Sequence, residues 1–338
     1  ADGDVVRGGF GSDHISSGAG NDLVFGDNGR LDYAIDGDPS SLDLGTTIEP
    51  TAGGEDTIYA GDGEDIAFGG TAGDAIFGGG QHDVLLGDHG LFDASLPANQ
   101  NFKSIYTTDD DGAGNDTIHA GAGDDFVLGQ QGRDTIFGEE GEDDRTGGHN
   151  VLFGSDDDDT IDGGSESDVI LGDNGVITRH LLPGNIWERY PEPFAHVIRD
   201  IVRFDDIDLM QGDDLIFGGD GEDIVHGQRG DDEIHGGAGD DELMGQLGAD
   251  ALFGDEGHDF VAGDVGLFVR AFETDGSIRL NDTGAWHRDL VTEEVGVLTR
   301  LLDISTSPDD AFAAEVRDLL LNADLILPMG AHDADGNR

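Results

Sequence analysis

A nine-residue unit recurs along this chain, and that period leaves few folds open to it. Gly8-Gly9-Phe10-Gly11-Ser12-Asp13-His14-Ile15-Ser16 is followed without a gap by Ser17-Gly18-Ala19-Gly20-Asn21-Asp22-Leu23-Val24-Phe25. The unit reads G-G-x-G-x-D-x-U-x, where U is a large apolar residue. Asp stands at the sixth position nineteen times: Asp4, Asp13 and Asp22; Asp56, Asp65, Asp74 and Asp83; Asp116, Asp125, Asp134, Asp143, Asp159 and Asp168; Asp214, Asp223, Asp232, Asp241, Asp250 and Asp259. The eighth position of the same units is aliphatic throughout, with only Ala67 small and only Arg145 charged. Two residue classes held in phase over this length specify one structural unit repeated many times.

The unit divides into two parts. The three residues x-U-x suit a very short strand with U pointing inward and its neighbours outward. The six residues G-G-x-G-x-D form a turn, where glycine supplies positive φ and close backbone approach. Such a turn aims several carbonyl oxygens inward. Ca²⁺ is a hard ion that takes 6–8 oxygens from carboxylates and carbonyls together. Each sixth-position Asp is therefore a candidate ligand that completes a cage of backbone oxygens.

Charge makes the same point. Asp plus Glu number 75 against 16 Lys plus Arg, for a formal net charge of -59. Self-repulsion at that density opposes compaction, so the chain either stays disordered or folds around cations. Disordered acidic segments are poor in apolar residues, whereas this chain keeps 36% hydrophobic residues at regular intervals. Cation-dependent folding follows. An acidic surface excludes nucleic acid as a partner, no apolar run is long enough for membrane insertion as a helix, and the absence of cysteine leaves metal as the staple.

These motifs resemble the RTX, or hemolysin-type, calcium-binding nonapeptide-repeat family over residues 1–29, 51–90, 111–175 and 209–266. The resemblance implies an all-β fold, a calcium-bound parallel β-roll or solenoid. Two nonapeptides make one coil, strands stack in two parallel sheets, and successive turns lie on alternate edges. A calcium ion sits between one turn and the turn two repeats later, held by the nineteen Asp residues and by turn carbonyls. Counted within each block, that rule gives about 15 Ca²⁺.

Four phrases close the blocks: Gly26-Asp27-Asn28-Gly29, Gly87-Asp88-His89-Gly90, Gly172-Asp173-Asn174-Gly175 and Gly263-Asp264-Val265-Gly266. None has Asp at its sixth position, so the calcium row is expected to weaken there, with the second-position Asp as a substitute oxygen. Insertions run over 30–50, 91–110, 176–208 and 267–338. The first two read as hairpins. The third is rich in aromatic and basic residues. The fourth carries a helix signal near 308–321, where Ser307-Pro308-Asp309-Asp310 forms an N-cap. A register slip falls at 143–153. His119, His226 and His235 stand at the outward-facing ninth position and read as solvated surface residues.

No G-x-S-x-G and no H-E-x-x-H occurs, so neither a lipase nucleophile nor a zincin site is present, and the chain is not expected to be an enzyme. The first functional reading is an extracellular calcium-folded module, secreted or at the cell surface. It would serve as a structural segment of a larger adhesin, surface-layer or fibre-like protein, with homo-assembly or a cell-surface component as partner. The resemblance implies export by type I secretion. Two rival readings are the folding module of a secreted enzyme or toxin whose active domain lies elsewhere, and glycan or ligand binding by the insertions.

Overall fold

The structure, a computed structural model, describes residues 3–33, 35, 42–93, 105–108, 112, 114–141, 143–146, 158–183, 186–191, 194–203, 212–264, 267–270, 273, 277–281 and 286–291. They form a parallel β-roll. One ten-stranded sheet contains Val5–Arg7, Leu23–Phe25, Ile66–Phe68, Val84–Leu86, Phe126–Leu128, Asp144–Thr146, Val169–Leu171, Ile224–Arg229, Glu242–Leu247 and Phe260–Asp264, hydrogen-bonded in that order. The facing nine-stranded sheet contains His14–Ala19, Thr57–Asp62, Ala75–Gly80, Thr117–Ala122, Thr135–Glu140, Thr160–Asp162, Leu215–Asp220, Glu233–Ala238 and Ala251–Glu256. Successive repeats alternate between the sheets, so strands pair with the repeat after next. Val6 pairs with Val24, and Ile216 with Ile234.

The eighth-position side chains fill the space between the sheets. Ile15, Val24, Ile58, Ala67, Ile76, Leu85, Ile118, Val127, Ile136, Ile161, Ile170, Ile216, Val225, Ile234 and Leu243 form one buried column. Each coil repeats the same hydrophobic contact with the next, as a solenoid requires.

The blocks are not separated by the insertions. Leu23–Phe25 pairs directly with Ile66–Phe68 across the first, Val84–Leu86 with Phe126–Leu128 across the second, and Val169–Leu171 with Ile224–His226 across the third. The register slip likewise leaves the ladder intact. Asp144–Thr146 pairs in register with both Phe126–Leu128 and Val169–Leu171. The extra residues of the slip fall in 147–157, and they and the helix expected near 308–321 lie outside the described residues.

The two sheets differ on their outer faces. In the nine-stranded sheet only the inward residue of each strand core is buried, as in Thr117–Ile118–His119. In seven strands of the ten-stranded sheet all three residues are buried, as in Leu23–Val24–Phe25, Ile66–Ala67–Phe68 and Val84–Leu85–Leu86, whereas the end strands Val5–Arg7 and Phe260–Asp264 are partly exposed. The cover comes from the insertions. Gly29–Asp32, Leu44–Thr47, Gly90–Asp93 and Ile105–Thr107 join in one antiparallel sheet, so the two expected hairpins are a single four-stranded layer. Its Leu31, Phe92 and Ile105, with Ile177 of the third insertion, pack on Phe25, Phe68, Leu86, Phe126 and Leu171. The expectation that both neighbours of U face solvent therefore fails on this sheet. The sequence carries part of the signal: positions seven and nine are both apolar in Leu23/Phe25, Ile66/Phe68, Val84/Leu86, Phe126/Leu128 and Val169/Leu171, whereas six of the nine alternate repeats have a polar residue at position seven.

His226 is corrected for the same reason. It lies on the covered sheet, is buried, and sits with Nδ1 3.2 Å from Arg203 Nη1. Burial, with the Arg203 charge, pushes its imidazole well below the usual range. His119 and His235 lie on the open sheet and stack in aromatic rows, His119 between Phe77 and Phe137, His235 between Phe217 and Phe253.

Candidate metal centre

The turns stack in two rows, one along each edge of the roll. All nineteen sixth-position carboxylates stand in these rows. The backbone N–H of Asp13 donates to Asp56 Oδ1 at 2.7 Å, and the same bond runs on through Asp74, Asp116, Asp134, Asp159, Asp214, Asp232 and Asp250. On the other edge Asp4 N donates to Asp22 Oδ1 at 2.6 Å. That chain continues through Asp65, Asp83, Asp125, Asp143, Asp168, Asp223, Asp241 and Asp259. Asp143, beside the register slip, keeps its place through a bond from its N–H to Asp168 Oδ1 at 2.7 Å.

One oxygen of each carboxylate after the first in its row thus accepts from the coil before it, and the other would face a cation. In Asp13, Asp22, Asp56, Asp65, Asp74, Asp83, Asp116, Asp134, Asp214, Asp232 and Asp241 the second oxygen, Oδ2, is buried without a hydrogen-bond partner. A native fold rarely leaves such atoms orphaned, and a row of them calls for a positive ion. The first glycine of each turn opens the space. A methyl group added at Gly26 would collide with Gly69 O and Asp56 Oδ2, at Gly69 with Gly87 O and Asp74 Oδ2, and at Gly218 with Gly236 O and Asp223 Oδ2. Each cradle is therefore lined by the carboxylate of its own turn and a carbonyl of the neighbouring turn. Positive φ recurs at the second and fourth turn positions, as at Gly237 (106°) and Gly239 (150°), which curls the chain so that carbonyls converge.

Among the described residues no point gathers three or more His, Cys, Asp or Glu side chains in a metal-binding group. The ligand set must then be mainly backbone oxygen, with carboxylates added one turn at a time. Hard oxygen donors without thiolate or imidazole select Ca²⁺ over transition metals. The residues present fit a calcium ion: the sixth-position Asp carboxylates and the turn carbonyls would hold it, and the ion would neutralise two facing turns and tie them together.

Electrostatics without the ion show what it must offset. Burial, reinforced by facing carboxylates, pushes Asp74 and Asp83 up to about 9, Asp56 and Asp65 to about 6, and Asp232 and Asp241 to about 7. Asp116, Asp134 and Asp214 rise well above the usual range for the same reason. The unfolded chain titrates near 3.8, so above that value the metal-free roll binds more protons than the coil. Its stability is greatest at low pH and falls as pH rises from about 4 through about 9, each tenfold difference in proton affinity between roll and coil contributing about 1.4 kcal/mol. In chelator, lowering the pH from 7.5 to 5 should therefore restore part of the β signal in circular dichroism. No gain at pH 5 would contradict this account of the buried rows.

Arginines from the insertions brace the second row. Arg179 donates from Nη1 and Nη2 to the carbonyls of Asp124 and Asp125, both at 2.9 Å, and lies 4.4 Å from the centre of the Trp187 ring. Arg288 pairs with Glu242 and donates from Nη2 to Asp240 O at 3.2 Å. The rings of the third insertion are engaged within the fold: Tyr190 packs edge-on against Trp286, and Trp187 against His82.

A family model for the RTX calcium-binding nonapeptide repeat, built on four copies of the unit, matches residues 1–30, 51–88, 110–144, 145–176, 204–234 and 235–266. That is more than half of the chain. The chain belongs to the RTX calcium-binding nonapeptide-repeat family. None of the curated proteins compared with it matches. Calcium binding by a repeat module is thereby the function of the roll. Among the described residues no helix is long and apolar enough to cross a membrane.

Within this RTX roll, where Val265 and Gly266 of the fourth closing turn lie outside the described residues, the first three closing turns depart from expectation. The row does not weaken at them, because the missing sixth-position Asp is supplied after the insertion. Asp56, Asp116 and Asp214 take that place, and their N–H and Oδ1 continue the chain of hydrogen bonds. Asp27 and Asp88 tie neighbouring segments together. Both oxygens of each accept backbone N–H groups: Asp27 from Gly54 (3.2 Å) and Thr71 (2.6 Å), Asp88 from Gly114 (3.1 Å) and Gln131 (3.0 Å).

Proposed function

We propose that this RTX chain is an extracellular, non-catalytic module that folds on meeting calcium and acts as a stiff segment of a larger adhesin, surface-layer or fibre-like protein, exported unfolded. The observation that carries the reading is the unbroken ladder. Ten strands at the ordinary spacing of about 4.8 Å make a rod about 43 Å long, with a metal row along each edge and no gap at any insertion. A rod whose coils are joined by ions resists bending and stretching along its whole length, which suits a spacer.

Export unfolded requires that calcium inside the cell be too scarce to fold the chain. Half-folding is expected at about 10⁻⁴–10⁻³ M Ca²⁺, the range of extracellular modules. A calcium titration followed by circular dichroism tests this. Half-folding at about 10⁻⁷–10⁻⁵ M, the range of intracellular sensors, would overturn the reading.

Continuity also revises the ion count. If one ion sits between adjacent turns of a row, the nine carboxylates of one row enclose eight gaps and the ten of the other enclose nine. About seventeen Ca²⁺ are expected rather than fifteen. Metal analysis of calcium-saturated, gel-filtered protein measures the number, and fewer than about eight ions would mean that the gaps between turns are not the binding sites.

A further inference from the structure

Each of the first three insertions leaves the roll in the middle of a turn and returns to finish that same turn. Gly26-Asp27-Asn28 is completed by Gly54-Glu55-Asp56, Gly87-Asp88-His89 by Gly114-Asn115-Asp116, and Gly172-Asp173-Asn174 by Gly212-Asp213-Asp214. Joined, each pair reads as an ordinary six-residue turn, G-D-x-G-x-D. The cut falls between the third and fourth positions, and the returning half carries the metal-facing Asp of that turn.

A turn cut in two has no covalent bond to hold its halves together. The same second-position carboxylate does so in all three. Asp27 accepts from Gly54 N in the returning half and from Thr71 N in the next turn along the row. Asp88 accepts from Gly114 N and Gln131 N in the corresponding places. Asp173 accepts from Gly212 N and, at 2.9 Å, from Arg229 N. A glutamine in the following turn reaches back to the outgoing half in two of the three: Gln130 Nε2 donates to His89 O at 2.9 Å and Gln228 Nε2 to Asn174 O at 2.8 Å. On this edge the uncut turns at 8–13, 69–74, 129–134, 227–232 and 245–250 carry Gly9, Gly70, Gln130, Gln228 and Gln246 at the second position, never Asp. Those residues have positive φ, and Asp27, Asp88 and Asp173 do not.

We propose that Asp27, Asp88 and Asp173 are positioning residues that splice the calcium row across each insertion. They hold the returning Asp56, Asp116 and Asp214 in line, so that metal binding on one side is coupled to metal binding on the other. This rests on calcium occupying the rows. The splice, not the insertion sequence, is what lets the roll accept an excursion without breaking into separate folding units.

The test is hydrogen exchange of the full chain during a calcium titration. In the parent, the strands Thr57–Leu86 and the strands Thr117–Leu128 should gain protection at one common calcium concentration. Asp88→Ala should separate the two sets by threefold or more in midpoint. Ile76→Val, a loss in the shared core, should move both together. If Asp88→Ala does not fold in saturating calcium, Asp27→Ala gives the same comparison between Val5–Phe25 and Thr57–Leu86. A single common midpoint in the aspartate variant, shifted or not, overturns the splice, as does equal separation in Ile76→Val. Failure of the calcium reading is distinguishable, because the parent itself would then be protected without calcium.

Discussion

Chelation of calcium at pH 7.5 is expected to convert this chain from a β-roll to a coil, with near-complete loss of the β signal in far-ultraviolet circular dichroism. The hydrophobic column gives most repeats one buried aliphatic residue, and the covered sheet adds up to two more in alternate repeats. At about 1.5–3 kcal/mol each, an average of roughly two per repeat still falls short of ordering nine residues at about 1–2 kcal/mol each. The buried rows of carboxylates then oppose folding further at neutral pH, as their raised titration shows. Bound calcium reverses both terms. At ten times Kd each ion contributes about 1.4 kcal/mol by mass action, or about 24 kcal/mol over seventeen gaps. That exceeds the 5–15 kcal/mol by which an ordinary domain is stable, so the metal decides whether the chain is folded. Magnesium at the same concentration should restore little, since it demands octahedral geometry and gives up its water reluctantly. Equal β signal with and without chelator at pH 7.5 would sink the metal-driven account.

The second large effect is expected from Asp134→Ala, measured against Asp4→Ala. Asp134 stands in the middle of its row, with Asp116 N donating to its Oδ1 at 2.9 Å and its own N–H donating to Asp159 Oδ1 at 2.8 Å. Its loss removes a carboxylate facing the gaps on both sides, about 3 kcal/mol at ten times Kd. It also orphans the buried N–H of Asp116, which costs about 1–3 kcal/mol. The total is about 4–6 kcal/mol. Asp4 is exposed at the end of the other row, so its loss touches one gap and costs about 1.4 kcal/mol. Calorimetric titration should show about two fewer ions in Asp134→Ala and at most one fewer in Asp4→Ala. Hydrogen exchange should place the loss of protection around Thr117–Glu140. Equal stoichiometry and equal protection in the two variants would indicate a diffuse charge cloud in place of discrete cages.

The splice at the closing turns bears on how such rolls tolerate variation. In a solenoid each coil leans only on its neighbours, so an excursion is harmless if the turn it interrupts still presents its oxygens in place. Here the excursions also do structural work. The four-stranded layer and the third insertion cover one outer face of the roll with apolar side chains, and Arg179 and Arg288 set positive charge against the carbonyls of the acid-rich turns at Asp124, Asp125 and Asp240. In a chain with only 16 Lys plus Arg, placing buried guanidinium groups there lowers repulsion where it is greatest.

The sequence by itself determined the roll. A nine-residue period with Asp at six and an aliphatic residue at eight is a local pattern that marks strand, turn and inward residue, and the resemblance to the RTX family adds the coil of two repeats and with it the two rows of nineteen carboxylates. What the sequence left undecided was where distant segments meet. Asp27 and Asp56 belong to one turn although twenty-nine positions separate them, and nothing in the interval between Gly29 and Gly53 announces that the second completes the first. His226 reads as a surface residue from its place in the repeat and is buried because Arg203 of the third insertion folds onto it. The continuity of the rows, the covered face and the splice carboxylates are long-range contacts. They depend on the return path of the chain, which periodicity does not encode and only the tertiary fold supplies.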